Sequence, residues 1–294
     1  MATLGFIGLG IMGRPMAGHL LRAGHTVHVY DLLPEGVQAL AAQGAVACTS
    51  PGDVARQSDV TFLMVPDSPD VEAALFGPEG VAAGAPKGSI VVDMSSISPV
   101  AERGFAGRLR AQGVEMLDAP VSGGPAGAEQ ATLSIMCGGD ERVFAKVRPY
   151  FECMGKNINL VGGNGDGQVV KVANQIIVGI TVAAVSEALL LASKAGVDPE
   201  RARQALLGGA ADSRILQLHG QRMIKRDFRP GFRLKHQQKD LNNALVTARS
   251  IAMALPVTAA VQELFNGAAA EHGGDIDHSA LVTTLERLAK HTVA

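Results

Sequence analysis

The chain contains no tryptophan, and aromatic residues of all kinds make up only 4% of its 294 residues. Side chains that could stack on nucleic-acid bases are therefore scarce. Positive charge is not in excess either, since the formal net charge is −2 at pH 7. Nucleic-acid recognition leaves a basic footprint, and no such footprint is present here. We expect no nucleic-acid partner.

Cysteine is also rare. The three cysteines, Cys48, Cys137 and Cys153, show no C-x-x-C spacing. An odd and sparse set is neither a disulfide framework nor a zinc site, and it is typical of small core residues in a reducing compartment. The histidines show no ligand spacing, so we predict no metal site.

The N-terminus has no basic segment followed by an uninterrupted apolar run, so no signal peptide is predicted. The longest apolar stretch covers residues 172–192, but it includes Asn174, Gln175, Ser186 and Glu187. A membrane span needs about 20 nearly uncharged residues. We therefore expect a buried helix in a soluble cytoplasmic protein with no membrane contact.

The first half of the chain alternates short apolar runs with helical stretches. Continuous apolar runs of strand length, such as 59–66 and 89–96, are typical of a parallel sheet covered on both faces. Two late runs, 132–139 and 157–163, lie close together, and they predict a mixed or antiparallel edge. After residue 163 helical periodicity dominates. The fold class is therefore α/β, a doubly wound sheet followed by an all-α part, joined by a long helix from residue 167.

A glycine-rich turn follows the first apolar run. Gly8, Gly10 and Gly13 have the spacing G-x-G-x-x-G, and Asp31 ends the next predicted strand 18 residues after Gly13. In a dinucleotide-binding βαβ unit such glycines permit a tight turn, close approach of a pyrophosphate and helix packing, and the acid binds the ribose. A carboxylate repels a 2′-phosphate, and Leu32 stands where an NADP site often has arginine. The turn thus predicts a Rossmann domain that favours NAD, with NADP as the open alternative.

Further positions are predicted to lie near the cofactor. In an open α/β sheet, ligands bind beside the carboxyl ends of the strands. Each of these loops alone also fits an ordinary turn followed by a helix cap. The candidates are two residues of the glycine turn and three from the loops after later strands: Ile11, Met12, Val65, Pro66 and Ser96.

Two segments carry candidate substrate chemistry. Ser122, Gly123 and Gly124 follow a predicted strand, and their N–H and hydroxyl groups could bind a carboxylate or simply form a turn. Lys171 and Asn174 lie on one face of the long apolar helix. The lysine either reaches out to solvent or faces a polar cleft, where an ammonium could protonate a carbonyl oxygen that is being reduced.

With these segments together, the sequence resembles the β-hydroxyacid dehydrogenase family, and most of all its tartronate semialdehyde reductase branch. The likeness runs through nearly the whole chain, in the ordered motifs GFIGLGIMGRPM, DMSSISP, DAPVSGG, GDGQVVKVANQ and KDLNNAL. It implies an NAD(P)-binding Rossmann domain at 1–163 and an all-α substrate and oligomerisation domain at 164–294. The implied activity is reduction of a short carboxylated aldehyde.

The resemblance also implies residue roles. Lys171 falls on the catalytic lysine, and Ser122, Gly123 and Gly124 fall on the substrate-anchoring segment. Asn174 falls on the asparagine of the lysine helix, while Gln175 stands where some relatives carry a second asparagine. Lys239 falls on a lysine close to the cofactor, and Ser96 on the loop serine. His236 receives no role, because its position varies within the family.

Other functions remain open at this stage. 3-Hydroxyisobutyrate dehydrogenase and glyoxylate or succinic semialdehyde reductases share the anchor and the lysine. A non-catalytic dinucleotide-binding protein is an alternative of another class, although the set of Ser122, Lys171 and Asn174 argues against it. The apolar helix also predicts a homo-oligomer, either a dimer or a tetramer.

Overall fold

A computed structural model of the chain describes residues 1–293. The chain divides into two units, one from Met1 to Lys171 and one beginning at Val172. The boundary expected from the sequence lies a few residues earlier, at 163.

The first unit is built on a nine-stranded sheet in the order β3-β2-β1-β4-β5-β6-β8-β7, with β9 paired to β8. The strands are β1 Thr3–Ile7, β2 Thr26–Tyr30, β3 Val46–Ala47, β4 Val60–Leu63, β5 Ile90–Asp93, β6 Glu115–Asp118, β7 Val121–Ser122, β8 Leu133–Gly138 and β9 Gly155–Gly162. The first six form a parallel array. Their order is that of a dinucleotide-binding sheet.

The expected mixed edge is present. Strand β8 runs antiparallel to β6 and β7, whereas β9 runs parallel to β8. The two-residue strands β3 and β7 were not predicted, because a segment so short has no readable alternation. The helices that connect the strands are α1 Gly13–Arg22, α2 Pro34–Ala41, α3 Pro51–Arg56, α4 Ser68–Phe76, α5 Val81–Gly84, α6 Pro99–Arg110, α7 Gly124–Glu129 and α8 Glu141–Glu152.

Continuous apolar strands bury both faces of the sheet. Phe6, Phe62 and Val92 belong to one hydrophobic cluster, while their neighbours Ile7 and Leu63 belong to another. Since successive side chains in a strand point to opposite faces, strands that are buried on both sides carry nearly continuous apolar runs. This confirms the prediction of a sheet covered on both sides.

The second unit is helical. Helix α9, Asp166–Lys194, begins in the first unit and continues into the second. It is followed by α10 Pro199–Leu207, a π-helical turn Leu216–Gly220, α11 Gln221–Lys225, α12 Leu234–Ser250, α13 Pro256–His272, a 3-10 turn His278–Ala280 and α14 Leu281–Ala289. Asp198 caps α10 through the N–H of Arg201, as its place before Pro199 predicts.

Helix α9 is long and apolar enough to cross a membrane by length and composition alone, and 39% of its most apolar window is buried. Core helices of soluble proteins meet the same criterion. Its buried side chains, among them Val182, Val185 and Leu189, join one hydrophobic cluster with residues of the later helices.

Candidate active site

The glycine turn between β1 and α1 is shaped by its own packing. Gly8 has φ +91°, and a Cβ at this position would overlap the backbone oxygen of Met64. A Cβ at Gly13, the first residue of α1, would overlap the carbonyl oxygen of Gly8. Both positions therefore require glycine before any ligand is considered.

Gly10 is different. A Cβ at Gly10 would meet no atom of residues 1–293 within 4 Å, so the protein itself leaves room for a side chain here. The open space at the start of α1 is compatible with a ligand that approaches the backbone, as a pyrophosphate does at the start of a helix. Ile11, 63% exposed, and the half-buried Met12 complete the turn. The residues present therefore fit a dinucleotide.

Asp31 lies directly after β2 and is fastened to the glycine turn. Its Oδ2 accepts the N–H of Leu9, and its Oδ1 accepts the N–H of Leu33 at 2.7 Å. These bonds fix a carboxylate at the end of the second strand. Leu32, which follows it, is 86% exposed and carries no charge.

The loops after β4 and β5 are tied to each other. Val65 donates its N–H to Ser95 Oγ at 3.0 Å, and Ser98 donates its N–H to Ser68 Oγ at 3.2 Å. The first bond brings the segment of Val65 and Pro66 beside the segment of Ser96. The predicted cofactor residues of these two loops therefore share one edge of the sheet.

Ser122 lies on β7 opposite Ser134 of β8. The two residues after it have left-handed backbone, with φ +136° at Gly123 and +62° at Gly124. A turn of this shape favours glycine whatever it binds. Helix α7 begins at Gly124 itself, so the predicted anchor lies where strand β7 passes into a short helix.

Lys171 lies on α9 in the first unit, and only 7% of the residue is exposed. Of the two interpretations of this lysine, the one in which it reaches out to solvent is wrong. An ammonium is seldom buried unless polar groups compensate the loss of water.

The turn that precedes Lys171 is held by two residues that were not among the predicted site residues. Gln168 donates its side-chain amide to the backbone oxygen of Ser95 at 2.9 Å and accepts the N–H of Ile97 at 3.1 Å. Asp118 accepts the N–H of Gln168 at 2.9 Å and the N–H of Gly165 at 2.7 Å. The sequence carried one signal of this arrangement, an uncharged polar residue at the start of an apolar helix.

A buried group of carboxyls lies beneath these loops. Burial raises the pKa of Asp118 to about 6, although N–H groups of Gly165 and Gln168 act in the opposite direction. The pKa of Glu102 is raised well above its usual value by complete burial and by the nearby Asp93 and Asp118. Burial and the two neighbouring carboxyls thus both favour the protonated form of Glu102.

In the second unit, Asn174 begins a polar chain. Its amide donates to Gln175 Oε1 at 2.7 Å, and Gln175 Nε2 donates to Asp240 Oδ2 at 2.6 Å. Asp240 also lies 3.3 Å from Lys239 Nζ. The predicted residues Asn174 and Lys239 are thus joined through two residues, Gln175 and Asp240, that received no role of their own.

Comparison with known proteins identifies the family. Residues 3–163 match the NAD-binding domain of 6-phosphogluconate dehydrogenase, and residues 165–285 match the NAD-binding family of NADP-dependent 3-hydroxyisobutyrate dehydrogenase. The chain belongs to the β-hydroxyacid dehydrogenase family. It is accordingly an NAD(P)-dependent oxidoreductase.

Individual members of this family match over the whole chain. The 2-hydroxy-3-oxopropionate reductase of Escherichia coli K12 is 58% identical over 291 residues, 99% of each chain. The 2-(hydroxymethyl)glutarate dehydrogenase of Eubacterium barkeri is 39% identical and covers 99% of this chain and 97% of its own. The solved 3-hydroxyisobutyrate dehydrogenase of Mycobacterium tuberculosis, determined with L-serine, is 31% identical with a TM-score of 0.89, covering 97% of this chain and 99% of its own.

Outside these segments, His219, Asp277 and His278 form another group of polar side chains in the second unit. His219 Nε2 lies 3.2 Å from His278 Nε2, although the two residues are 59 positions apart. Asp277 is next to them, but its oxygens accept N–H groups of Gly231, Phe232 and Ser279. Because the carboxylate is occupied in holding backbone, we assign the group a structural role.

The three cysteines of this β-hydroxyacid dehydrogenase lie in surroundings that disfavour the thiolate. All three cysteines are free. Burial raises the pKa of Cys48 to about 11 and raises that of Cys137 and Cys153 as well. A thiol must lose its proton to act as a nucleophile, so burial disfavours the reactive form of these three residues.

Proposed function

We propose that this chain reduces tartronate semialdehyde, 2-hydroxy-3-oxopropanoate, to D-glycerate with NADH. The observation that carries the proposal is the 58% identity to 2-hydroxy-3-oxopropionate reductase over 99% of both chains. A likeness of this extent includes both the glycine turn and the lysine helix. The buried Lys171 supports a reaction in which a proton is delivered out of contact with bulk water.

Each residue then has a physical task. The nicotinamide, when bound, supplies a hydride to the aldehyde carbon. Lys171 holds a proton at Nζ and gives it to the carbonyl oxygen, which becomes the new hydroxyl. Ser122 and the N–H groups of Gly123 and Gly124 bind the substrate carboxylate, and Asn174 orients the substrate.

The cofactor is proposed to be NADH rather than NADPH. Asp31 is a fixed carboxylate at the end of β2, held by two backbone N–H groups. It can accept hydrogen bonds from ribose hydroxyls, and it repels a 2′-phosphate. The following Leu32 and Leu33 offer no positive charge to offset that repulsion. In this proposal the glycine turn, Val65, Pro66 and Ser96 bind the cofactor, and Lys239 has the cofactor role that the family resemblance implies.

The test is a rate panel with NADH and NADPH across four aldehydes: tartronate semialdehyde, methylmalonate semialdehyde, succinic semialdehyde and glyoxylate. We expect the highest kcat/KM with tartronate semialdehyde and NADH. A higher kcat/KM with another aldehyde would assign the chain to that substrate. Tight NADH binding without turnover on any of them would favour a non-catalytic protein.

Lys171→Ala tests the proton donor. We expect kcat to fall by about 10²- to 10⁴-fold, the range for loss of a general acid, while the Kd for NADH stays close to that of the wild type. Lys146→Ala is the matched control, because Lys146 is exposed on α8. Near-normal turnover of Lys171→Ala would overturn the mechanism.

We also infer that the chain self-associates through α9. Ile177 is 68% exposed and Leu191 is 72% exposed, and their spacing of 14 residues places both on one face of the helix. Exposed apolar positions aligned in this way are typical of an interface. Ile177→Glu with Leu191→Glu should lower the mass measured by light scattering to that of a monomer. Leu288→Glu, at another exposed leucine, should leave the mass unchanged.

A further inference from the structure

Gln168 uses three of its polar groups to join three separate segments. Its side-chain Nε2 donates to Ser95 O and its Oε1 accepts from Ile97 N, while its backbone N–H donates to Asp118 Oδ2. The residue is fully buried. A primary amide fits this place because it offers a donor and an acceptor in one rigid plane.

The two side-chain bonds are made on either side of Ser96. Gln168 is therefore hydrogen-bonded to the backbone of the loop on both sides of this predicted cofactor residue. On its own helix, Gln168 lies three residues before Lys171, which is about one turn. The loop and the lysine-bearing turn are thus connected through one side chain.

The helix side of this connection is equally well fixed. Asp118 accepts N–H groups of both Gly165 and Gln168, and a Cβ at Gly167 would lie 2.8 Å from Asp118 Oδ2. The backbone of the first turn of α9 is therefore pressed against the end of β6. A movement of Gln168 relative to Asp118 would need these bonds to break.

We infer that Gln168 is a positioning residue, which fixes the Lys171-bearing turn against the loop of Ser96. The inference rests on the proposed role of Lys171 as the proton donor. It adds that the position of the donor depends on the amide of Gln168. Proton transfer is sensitive to placement, and a displacement of about 1 Å can cost about 100-fold in rate.

Gln168→Met is the decisive variant, because methionine fills a similar volume without forming either hydrogen bond. Gln168→Glu is the second variant, since a carboxylate cannot donate to Ser95 O. Val147→Ala is the control for lost stability, because Val147 is a fully buried apolar residue of a different helix, α8. The measured quantities are kcat per titrated NADH-binding site, KM for the aldehyde and the Kd for NADH.

We expect Gln168→Met to lower kcat by about 10- to 100-fold. The Kd for NADH should change by less than about threefold, since Val65 and Ser68 still hold the loop. Val147→Ala should lower the melting temperature with a normal kcat per site. A Gln168→Met enzyme with a kcat within about twofold of the wild type would overturn the inference.

A double-variant cycle identifies the residue through which Gln168 acts. In Lys171→Ala, Gln168→Met should change the residual kcat by less than about twofold, because the donor to be positioned is gone. Equal losses in both backgrounds would overturn the inference and leave Lys171 in its role. Near-normal turnover of Lys171→Ala alone would instead overturn the proposed function, whatever Gln168→Met does.

Discussion

Gln175 donates its side-chain amide to the buried carboxylate of Asp240 at 2.6 Å. Because a carboxylate can only accept, this bond fixes which end of the amide is nitrogen. The oxygen of Gln175 is then turned toward Asn174, whose amide donates to it at 2.7 Å. The orientation of Asn174 is therefore set from Asp240 through Gln175.

Gln175→Glu would place a second carboxylate against Asp240. We expect the free energy of unfolding at pH 8 to fall by about 3 kcal/mol, because two buried carboxylates would then share the ammonium of Lys239, which already lies beside Asp240. The KM for the aldehyde should rise, because the oxygen that accepts from the Asn174 amide is no longer held in place by the bond to Asp240. Urea unfolding and steady-state kinetics measure the two effects.

Gln204→Glu is the control for that change. Gln204 donates to Glu200 at 2.7 Å on the exposed side of α10, so the same substitution creates the same pair of charges in water. Gln204→Glu should lower the free energy of unfolding by less than about 0.5 kcal/mol. An equal loss of unfolding free energy in the two variants would show that the polar chain from Asn174 to Asp240 is no more sensitive to a second charge than an exposed pair.

Two glycines of the turn are expected to affect different properties, Gly10 the binding of the cofactor and Gly8 the stability of the fold. For Gly10→Ala we expect an unfolding free energy within about 0.5 kcal/mol of the wild type, since its Cβ would meet no atom of residues 1–293. The Kd for NADH should rise by about tenfold or more, equivalent to at least about 1.4 kcal/mol. Calorimetric titration and thermal melting provide both numbers.

Gly8→Ala should show the opposite order of effects. Its φ of +91° and the overlap with Met64 O predict a loss of about 3 kcal/mol in stability before any cofactor is added. If Gly10→Ala melted as early as Gly8→Ala, the free space at Gly10 would not be a ligand site.

Asp31→Asn tests the choice of cofactor. We expect the ratio of kcat/KM for NADH to that for NADPH to fall by about tenfold, because the charge that repels a 2′-phosphate is gone. Glu35→Gln removes an equal charge from the exposed first turn of α2 and should leave the ratio unchanged. An unchanged ratio in Asp31→Asn would place the discrimination elsewhere.

Local patterns predicted much of this fold because each carries its own physical constraint. The continuous apolar runs of β4 and β5 place apolar side chains on both faces of the sheet, which predicts a sheet covered on both sides. Asp198 followed by Pro199 predicts a helix start regardless of what the helix packs against. The site residues read from motifs, such as Gly10 and Asp31, also depend on local backbone shape.

Contacts between distant positions were not predictable in this way. Gln168 holds a loop 71 residues earlier, and Gln175 meets a carboxylate 65 residues later. No spacing in one sequence encodes such pairs, since they arise only when the elements pack. For the same reason no local pattern indicated that His219 meets His278.

The buried carboxyl of Glu102 has an unusual polar environment. No N–H or hydroxyl group donates to either of its oxygens within residues 1–293, and Asp93 and Asp118 lie near it. Such surroundings favour the protonated, uncharged form of the carboxyl. Since its pKa in the folded chain is raised, its contribution to stability is complete below the unfolded value of 4.5 and is lost as the pH rises through the folded value.

Glu102→Gln removes this titration while keeping a donor of similar size. The difference in unfolding free energy, variant minus wild type, should be flat below pH 4.5 and then rise by up to about 1.4 kcal/mol per pH unit. Urea unfolding from about pH 4 to about pH 9 measures the difference, in which the titration of other groups largely cancels. Glu115→Gln, at an exposed glutamate that begins β6, is the matched control for the substitution itself. A flat line for Glu102→Gln would mean that Glu102 ionises in the folded protein as readily as in water.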